Sequence, residues 1–216
     1  ISNELSKLLK RKVDFAFSSI ISNNDFESFN LKKRTEIINL LFVGRVSEMK
    51  GVFDLLNALL MYKRESKQNF KLTLVGKCDN STRIKINDFT LKNKLKNNIV
   101  IYGRVDERSE LYRLYRSSDL FILPSKTEGM PRVLWEAAIN SCPIIATNVG
   151  GISSVFENKK DIFLVNPNDP YAIYLAISKF EKNTDLFERL AKNAFYLAEK
   201  NTLEKNVFKL TELIRQ

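Results

Sequence analysis

Short apolar runs alternate with amphipathic stretches along most of the chain. The runs are continuously apolar instead of alternating, which is typical of strands buried on both faces of a parallel sheet. They are IINLLFVG (37–44), FKLTLVG (70–76), NIVIYG (98–103), DLFILP (119–124), PIIATN (143–148) and FLV (163–165). Strands and helices alternate at least five times. This order predicts an α/β fold, a doubly wound domain with a parallel sheet.

Helical spacing of apolar residues predicts the segments between and after the strands. The expected helices cover 52–67, 82–95, 106–118, 131–141, 170–181, 184–200 and 203–215. Residues 1–35 are polar and weakly patterned, with one expected strand in FAFSSIIS (15–22), and are interpreted as a linker remnant. The sheet domain is expected over 36–182 and terminal helices over 183–216.

Composition limits the chemistry and suggests anionic partners. The 216 residues are 44% hydrophobic, enough for one sizeable core. A net charge of +10 suits nucleic acid, an acidic membrane surface or phosphorylated small molecules. The chain has no histidine and two distant cysteines, which excludes zinc sites, histidine acid–base catalysis and Ser-His-Asp triads. Without a disulfide pattern or a signal-peptide pattern, and without an initiator Met, a fragment of a cytoplasmic protein is expected.

The loops that follow the strands are the places to search for a site, because ligands of such folds bind beyond the carboxyl ends of the strands. The first loop, VGRVSEMKG (43–51), has neither the dinucleotide fingerprint nor a P-loop. It does place Arg45 and Lys50 close together at a strand end, where two cations could hold a diphosphate. The alternative is a pair of solvated loop charges.

The segment PSKTEGMPRVLWEA (124–137) contains two glutamates, Glu128 and Glu136, eight positions apart. A helix that begins at Pro131 offers free backbone N–H groups to an anion between them. With a carboxylate on either side to accept hydrogen bonds from hydroxyls, the anion would be a phosphate flanked by two polyols, as in a sugar nucleotide. Alternatively, Glu136 pairs with Arg132 one turn away and Glu128 is an ordinary loop acid.

Four stretches together resemble the donor-binding half of the group 1 glycosyltransferases, the large retaining family with the GT-B fold. The similarity runs over about 37–170, and the E-x7-E pair is the hallmark of that family. The stretches are VGRVSEMKG, GRVDERSELYRLYRSSDLFILPS, EGMPRVLWEA and ATNVGG. The resemblance implies a Rossmann-like sheet, the C-terminal half of a GT-B fold, with terminal helices that pack toward a missing N-terminal acceptor-binding half. SNNDFESF (22–29) resembles the segment that joins the two halves.

The resemblance also implies a role for each matching residue. Arg45 and Lys50 correspond to the basic pair on the donor diphosphate, and Glu128 to the catalytic acid on the hydroxyls of the transferred sugar. Glu136 corresponds to the acid that holds the ribose hydroxyls. The other implied substrate-binding residues are Gly44, Arg104, Val105, Gly129, Met130, Pro131, Val133 and Leu134.

The expected activity is that of a retaining hexosyltransferase in bacterial polysaccharide or lipopolysaccharide biosynthesis. It would use a nucleotide-diphosphate sugar such as a UDP-sugar, a saccharide or lipid-linked acceptor, no metal and no other cofactor. We expect a cytoplasmic protein, peripheral at the anionic inner face of the membrane, and no transfer by this fragment alone. The alternative is a non-catalytic basic α/β domain that binds a membrane or nucleic acid. Nucleic acid is disfavoured because the aromatic residues fall mostly in apolar runs.

Overall fold

The predicted parallel sheet is present, with six strands in the part of the chain that the structure describes. The structure is a computed structural model that describes residues 21–33, 35–66 and 68–214, without the side chains of 210, 213 and 214. All strand pairs are parallel, in the order β3-β2-β1-β4-β5-β6. The strands are β1 Ile37–Val43, β2 Asn69–Val75, β3 Ile99–Gly103, β4 Leu120–Leu123, β5 Ile144–Thr147 and β6 Phe163–Val165. The expected strand at 15–22 lies almost wholly outside the described residues.

The helices follow the sequence predictions closely and differ mainly at their ends. They are α1 Val52–Glu65, α2 Asn80–Lys92, α3 Arg108–Arg116, α4 Arg132–Ile139, α5 Pro170–Lys182, α6 Thr184–Glu199 and α7 Leu203–Ile214. The expected start of α4 at Pro131 is wrong by one position. Pro131 is the N-cap, with φ −74° and ψ 124°, because its backbone is still extended. No helix among the described residues is both long enough and apolar enough to span a membrane.

Each inner strand contributes to two hydrophobic cores, one on each face of the sheet. In β1, Leu40 and Phe42 pack with α1 and α5, whereas Leu41 and Val43 pack with α3 and α4. In β4 the same alternation puts Phe121 with Tyr115 of α3. Since successive side chains of a strand point to opposite faces, two covered faces require a continuously apolar strand. The packing therefore explains the apolar runs that predicted the fold.

The two ends of the described chain pack against each other and against the sheet domain. The buried side of α6 includes Phe195, whose ring makes T-shaped contacts with Phe26 and Phe29 at centroid distances of 5.5 Å. The amide of Leu203, at the start of α7, donates to the carbonyl of Ile21 at 2.8 Å. The leading segment and the last two helices thus form one packed layer beside α4.

The strand order creates a crevice between β1 and β4. From β1 the chain moves outward through β2 and β3, and then returns to the other side of β1 as β4. The loops after β1 and β4 therefore leave in opposite directions, and ligands of doubly wound sheets bind at such a switch point. The two loops with the strongest sequence signals are the ones that border this crevice.

Candidate active site

An ion pair joins the two loops at the crevice. Lys50, at the end of the loop after β1, places its Nζ 2.7 Å from Oε1 of Glu128 in the loop after β4. The side chain of Glu128 is 9% exposed and that of Lys50 is 32% exposed, so the pair faces the crevice while being largely shielded. Two residues singled out independently in the sequence are thus in direct contact. Lys50 is therefore not merely a solvated loop charge.

The loop that carries Glu128 is held by buried hydroxyl groups. Ser125 Oγ donates to Glu128 Oε1 at 2.6 Å, and the Ser125 side chain is fully buried. Thr147, at the end of β5, donates from Oγ1 to the Ser125 carbonyl at 2.5 Å. The backbone amide of Lys126 donates to the carbonyl of Met49 at 3.0 Å, which ties this loop to the loop after β1. The carboxylate is consequently anchored although it lies outside any helix or strand.

Two glycines allow the loops to approach this closely. Gly51 has φ +69°, and a Cβ there would lie 1.8 Å from the carbonyl oxygen of Pro124. Gly150 has φ +59°, and its Cβ would lie 1.9 Å from the carbonyl oxygen of Glu128. Only glycine combines this backbone conformation with such a close contact. The turn at Gly150 thereby supports the Glu128 loop from the side of β5.

The start of α4 is available to an anion. Its N-cap, Pro131, provides no side-chain hydrogen bond to the first turn. Leu134 N reaches the carbonyl of Pro131 at 3.3 Å, and the amides of Arg132 and Val133 precede it in the first turn. Helix starts without a capping side chain present partly positive N–H groups to solvent or to a ligand. The helix begins four residues after Glu128, so an anion bound there would lie next to the ion pair.

Glu136 lies in a different environment from Glu128. It is half-buried on α4, and Tyr115 Oη of α3 donates to its Oε2 at 3.2 Å. Burial raises the pKa of the Glu136 carboxyl above its ordinary value, while the Tyr115 hydrogen bond and the charges of Arg108 and Arg132 act in the opposite direction. Glu136 and Arg132 form no ion pair, so the alternative interpretation from the sequence is not realised.

The remaining predicted site residues are distributed over the same edge of the sheet. Gly44 and Arg45 follow β1, and the Arg45 side chain is exposed. Val105 is partly buried in the same core as Met130 and Val133. Arg104 is exposed beyond the outermost strand β3, and its Nε contacts Asp106 Oδ1 at 2.5 Å. The structure thus brings Lys50 to Glu128, whereas Arg104 pairs with Asp106 of its own loop.

Sequence reasoning did not identify the contacts that four residues make near the two acids. Ser125 and Thr147 were not singled out, although Ser125 directly follows the LFILP run. Tyr115 is fully buried in the core, but its hydroxyl also reaches Glu136. Arg108 binds Tyr112 Oη and Asp25 Oδ2, both at 2.7 Å, close enough to Glu136 to influence its pKa. The signal available in the sequence was the pair of hydroxyl residues Ser125 and Thr147, which lie at the ends of apolar runs.

Comparison with known proteins agrees with this fold. A curated relative, the capsular polysaccharide biosynthesis glycosyltransferase CapH of Staphylococcus aureus, is 29% identical over 140 residues, covering 64% of this chain and 39% of CapH. A glycosyltransferase of Rickettsia africae ESF-5 has a similar structure, with a TM-score of 0.78 and 22% identity, covering 99% of this chain and 61% of that protein. Anabaena HepE, solved in complex with UDP, has a TM-score of 0.74 and 20% identity, covering 83% of this chain and 49% of HepE.

The family itself is established by its sequence profile. The chain spans about a third to about a half of the length of the curated relatives that it matches. The profile of the family described as glycosyl transferases group 1 matches residues 23–196, which is most of the chain. This chain therefore belongs to the group 1 glycosyltransferases.

Proposed function

We propose that this chain is the donor-binding half of a retaining glycosyltransferase that uses a nucleoside-diphosphate sugar. The observation that carries the proposal is the contact between Lys50 and Glu128 at the switch point, beside the uncapped start of α4. A cation, a carboxylate and free backbone amides there suit a ligand with a phosphate next to a polyol. The similar fold of HepE, solved with UDP, supports the same ligand class.

In this proposal the diphosphate lies between the loop after β1 and the start of α4. Arg45 and Lys50 supply two positive charges, and the amides of Arg132 and Val133 supply donors. Such groups stabilise the negative charge that develops as the diphosphate leaves, which is commonly the largest catalytic contribution. With two cations and a helix start in place, the proposed reaction needs no metal ion.

The two acids hold the two polyol ends of the donor. Glu128 accepts hydrogen bonds from hydroxyls of the transferred sugar, and Glu136 accepts them from the ribose. Gly129, Met130, Leu134 and the loop at Arg104 and Val105 complete the contacts to sugar, phosphate and base. A ribose that bonds to Glu136 would also compensate the unfavourable burial of that carboxylate.

The second substrate of the proposed reaction is the acceptor. An acceptor hydroxyl attacks the anomeric carbon from the side on which the diphosphate leaves, so that the configuration is retained without a protein nucleophile. The relative CapH, named for capsular polysaccharide biosynthesis, supports a saccharide acceptor. A lipid-linked acceptor, and a reaction in the cytoplasm at the inner face of the membrane, belong to the same proposal.

We further propose that the end of the chain faces the acceptor-binding half. Helix α7 leaves two adjacent apolar side chains open to solvent, Val207 at 53% and Phe208 at 68% exposure, and the acceptor-binding half would cover them. Without that half, the chain binds the donor but does not transfer its sugar.

Titration calorimetry of this chain with UDP, GDP and ADP tests the proposed donor site. We expect one nucleoside diphosphate to bind and to raise the melting temperature, since a ligand at 100 times its Kd adds about 2.7 kcal/mol of stability. Lys50→Met should weaken that binding about tenfold or more, because it removes a charge-assisted contact to phosphate.

The matched control is Lys32→Met. Lys32 Nζ also lies 2.7 Å from a carboxylate oxygen, that of Asp119, but at the amino end of the sheet. This variant should lose stability without losing affinity for the nucleotide. Failure of all three nucleotides to bind, or equal losses of affinity in the two variants, would contradict the proposal.

A further inference from the structure

We propose that Ser125 is a positioning residue, which orients Glu128 toward the donor sugar through a hydrogen bond to one carboxylate oxygen. The inference rests on the proposed donor site and adds a residue that the sequence did not single out. An ionised carboxylate only accepts, so Ser125 Oγ is the donor in the 2.6 Å contact with Glu128 Oε1.

Both polar contacts of the Glu128 side chain with described residues end on the same oxygen. Ser125 Oγ and Lys50 Nζ reach Oε1 at 2.6 Å and 2.7 Å, respectively. Two donors on one oxygen define the orientation of the carboxylate plane and leave Oε2 to accept from a ligand hydroxyl. The arrangement therefore prepares one oxygen for substrate while the other one is held by the protein.

Ser125 can hold Glu128 because it is itself immobilised. Its side chain is fully buried, and its carbonyl accepts a 2.5 Å hydrogen bond from Thr147 Oγ1. Thr147 is also fully buried at the carboxyl end of β5, next to β4 in the sheet. The orientation of Glu128 is thus transmitted from the sheet through two hydroxyl groups, independently of the long and partly exposed Lys50 side chain.

This independence matters once a donor is bound. Lys50 is also proposed to contact the diphosphate, and a cation shared with phosphate holds Glu128 less firmly. The Ser125 hydroxyl has no such second role, so it keeps the carboxylate in place while Lys50 turns to the leaving group. Ser125 should consequently influence recognition of the sugar and leave recognition of the nucleotide unchanged.

The experiment compares affinities of the 216-residue chain for a nucleoside diphosphate and for its glucose conjugate. Of UDP, GDP and ADP, the nucleotide used is the one that binds most tightly. Calorimetry gives the Kd of the nucleotide and the Kd of its conjugate. Both are measured for the wild type, Ser125→Ala, Glu128→Gln and the double variant. We expect Ser125→Ala to weaken binding of the conjugate about tenfold with unchanged affinity for the nucleotide, and Glu128→Gln to weaken binding of the conjugate at least as much. The double variant should be no weaker than Glu128→Gln, because Ser125 acts through Glu128.

Two further variants distinguish positioning from a general structural role. Ser125→Cys keeps a weak donor of similar size and should give an intermediate affinity for the conjugate. Ser118→Ala removes another buried hydroxyl, which donates to the Leu114 carbonyl at 2.7 Å at the amino end of β4, and should leave both affinities unchanged.

Three results would overturn the inference. They are an unchanged affinity of Ser125→Ala for the conjugate, equal losses for nucleotide and conjugate in that variant, and losses that add in the double variant. If the wild type binds none of the three nucleotides, the proposed donor site itself fails, which is a different outcome from failure of Ser125 alone.

Discussion

The two glutamates of the E-x7-E pair differ in how the protein accommodates their charge. Glu128 is paired with Lys50 and Ser125 at the crevice. Glu136 is half-buried, with a neutral donor, Tyr115, as its hydrogen-bond partner. Burial also raises the pKa of Tyr115 well above its ordinary value, so this phenol stays protonated and remains a donor. At the scale of single residues, the burial of the ionised Glu136 carboxylate therefore carries a cost to stability.

Replacement of Glu136 by Gln should stabilise the protein, and more so at higher pH. Because burial raises the pKa of Glu136 in the folded state, its ionisation destabilises the fold as the pH rises through that value. Gln cannot ionise and still accepts the Tyr115 hydrogen bond. The melting temperature of Glu136→Gln should exceed that of the wild type clearly at about pH 8 and only slightly at about pH 5.

Glu110→Gln is a control with the opposite sign. The Arg113 hydrogen bond, with that of Tyr102, lowers the pKa of Glu110 to about 2, so its ionised form stabilises the fold above the ordinary pKa of a glutamate. This variant should melt at a lower temperature than the wild type at about pH 8. A gain in Glu136→Gln that is the same at every pH would disprove the explanation.

At the scale of elements, the two helices beside the crevice start without a side-chain cap, a feature that they share with α3. Helices α2, α5 and α6 start with side-chain caps from Asp79, Asp169 and Asn183. Helices α1 and α4, which follow the two strands of the switch point, start at Gly51 and Pro131 without a side-chain cap. In α4 the amides of Arg132 and Val133 are therefore available to a ligand, whereas Val52 N of α1 already donates to the Ser47 carbonyl at 3.4 Å. The connecting loops depend on the glycine turns at Gly51 and Gly150 for their shape.

Gly150→Ala should destabilise the protein beyond the effect of backbone strain alone. A Cβ at Gly150 would lie 1.9 Å from the carbonyl oxygen of Glu128, so the Glu128 loop must move. Gly103→Ala is the comparison, because Gly103 has φ +94° but no heavy atom within 4 Å of the added Cβ. Backbone strain of this kind costs about 1–3 kcal/mol. Urea denaturation should show the larger loss of unfolding free energy in Gly150→Ala. Equal losses in the two variants would mean that the Glu128 loop moves without an energetic cost.

At the scale of the whole molecule, the leading segment and the last helices stabilise each other. Arg108 binds Asp25 and Lys32 binds Asp119, each at 2.7 Å, so charged contacts hold the segment along the domain. Phe26 and Phe29 both make T-shaped ring contacts with Phe195 of α6. Phe195 is 5% exposed and is the apolar centre of this layer.

Phe195→Ala should lower the free energy of unfolding by about 3–5 kcal/mol, as for other buried aromatic side chains. It should also increase amide hydrogen exchange at residues 22–30, because the segment loses its apolar contacts. Tyr196→Ala, at the next position and 44% exposed, should have a much smaller effect on both measurements. Similar exchange at residues 22–30 in the two variants would show that the charged contacts alone hold the segment.

The sequence alone determined the fold class, the order and approximate positions of most elements, and the segment that carries the two acids. These are properties of short segments: a continuous apolar run such as 37–44 indicates a doubly covered strand wherever it lies in the sheet. The same locality explains the error at Pro131, since the extended backbone of an N-cap and the first residue of a helix differ by a single dihedral angle.

Only the tertiary structure decided which of these segments meet. Lys50 and Glu128 are 78 positions apart, and their contact exists because β4 lies beside β1 instead of beside β3. The contacts of Ser125 with Thr147 and of Tyr115 with Glu136 likewise depend on neighbouring strands and helices. Strand order results from the packing of the whole core, which no local pattern of apolar and polar residues encodes.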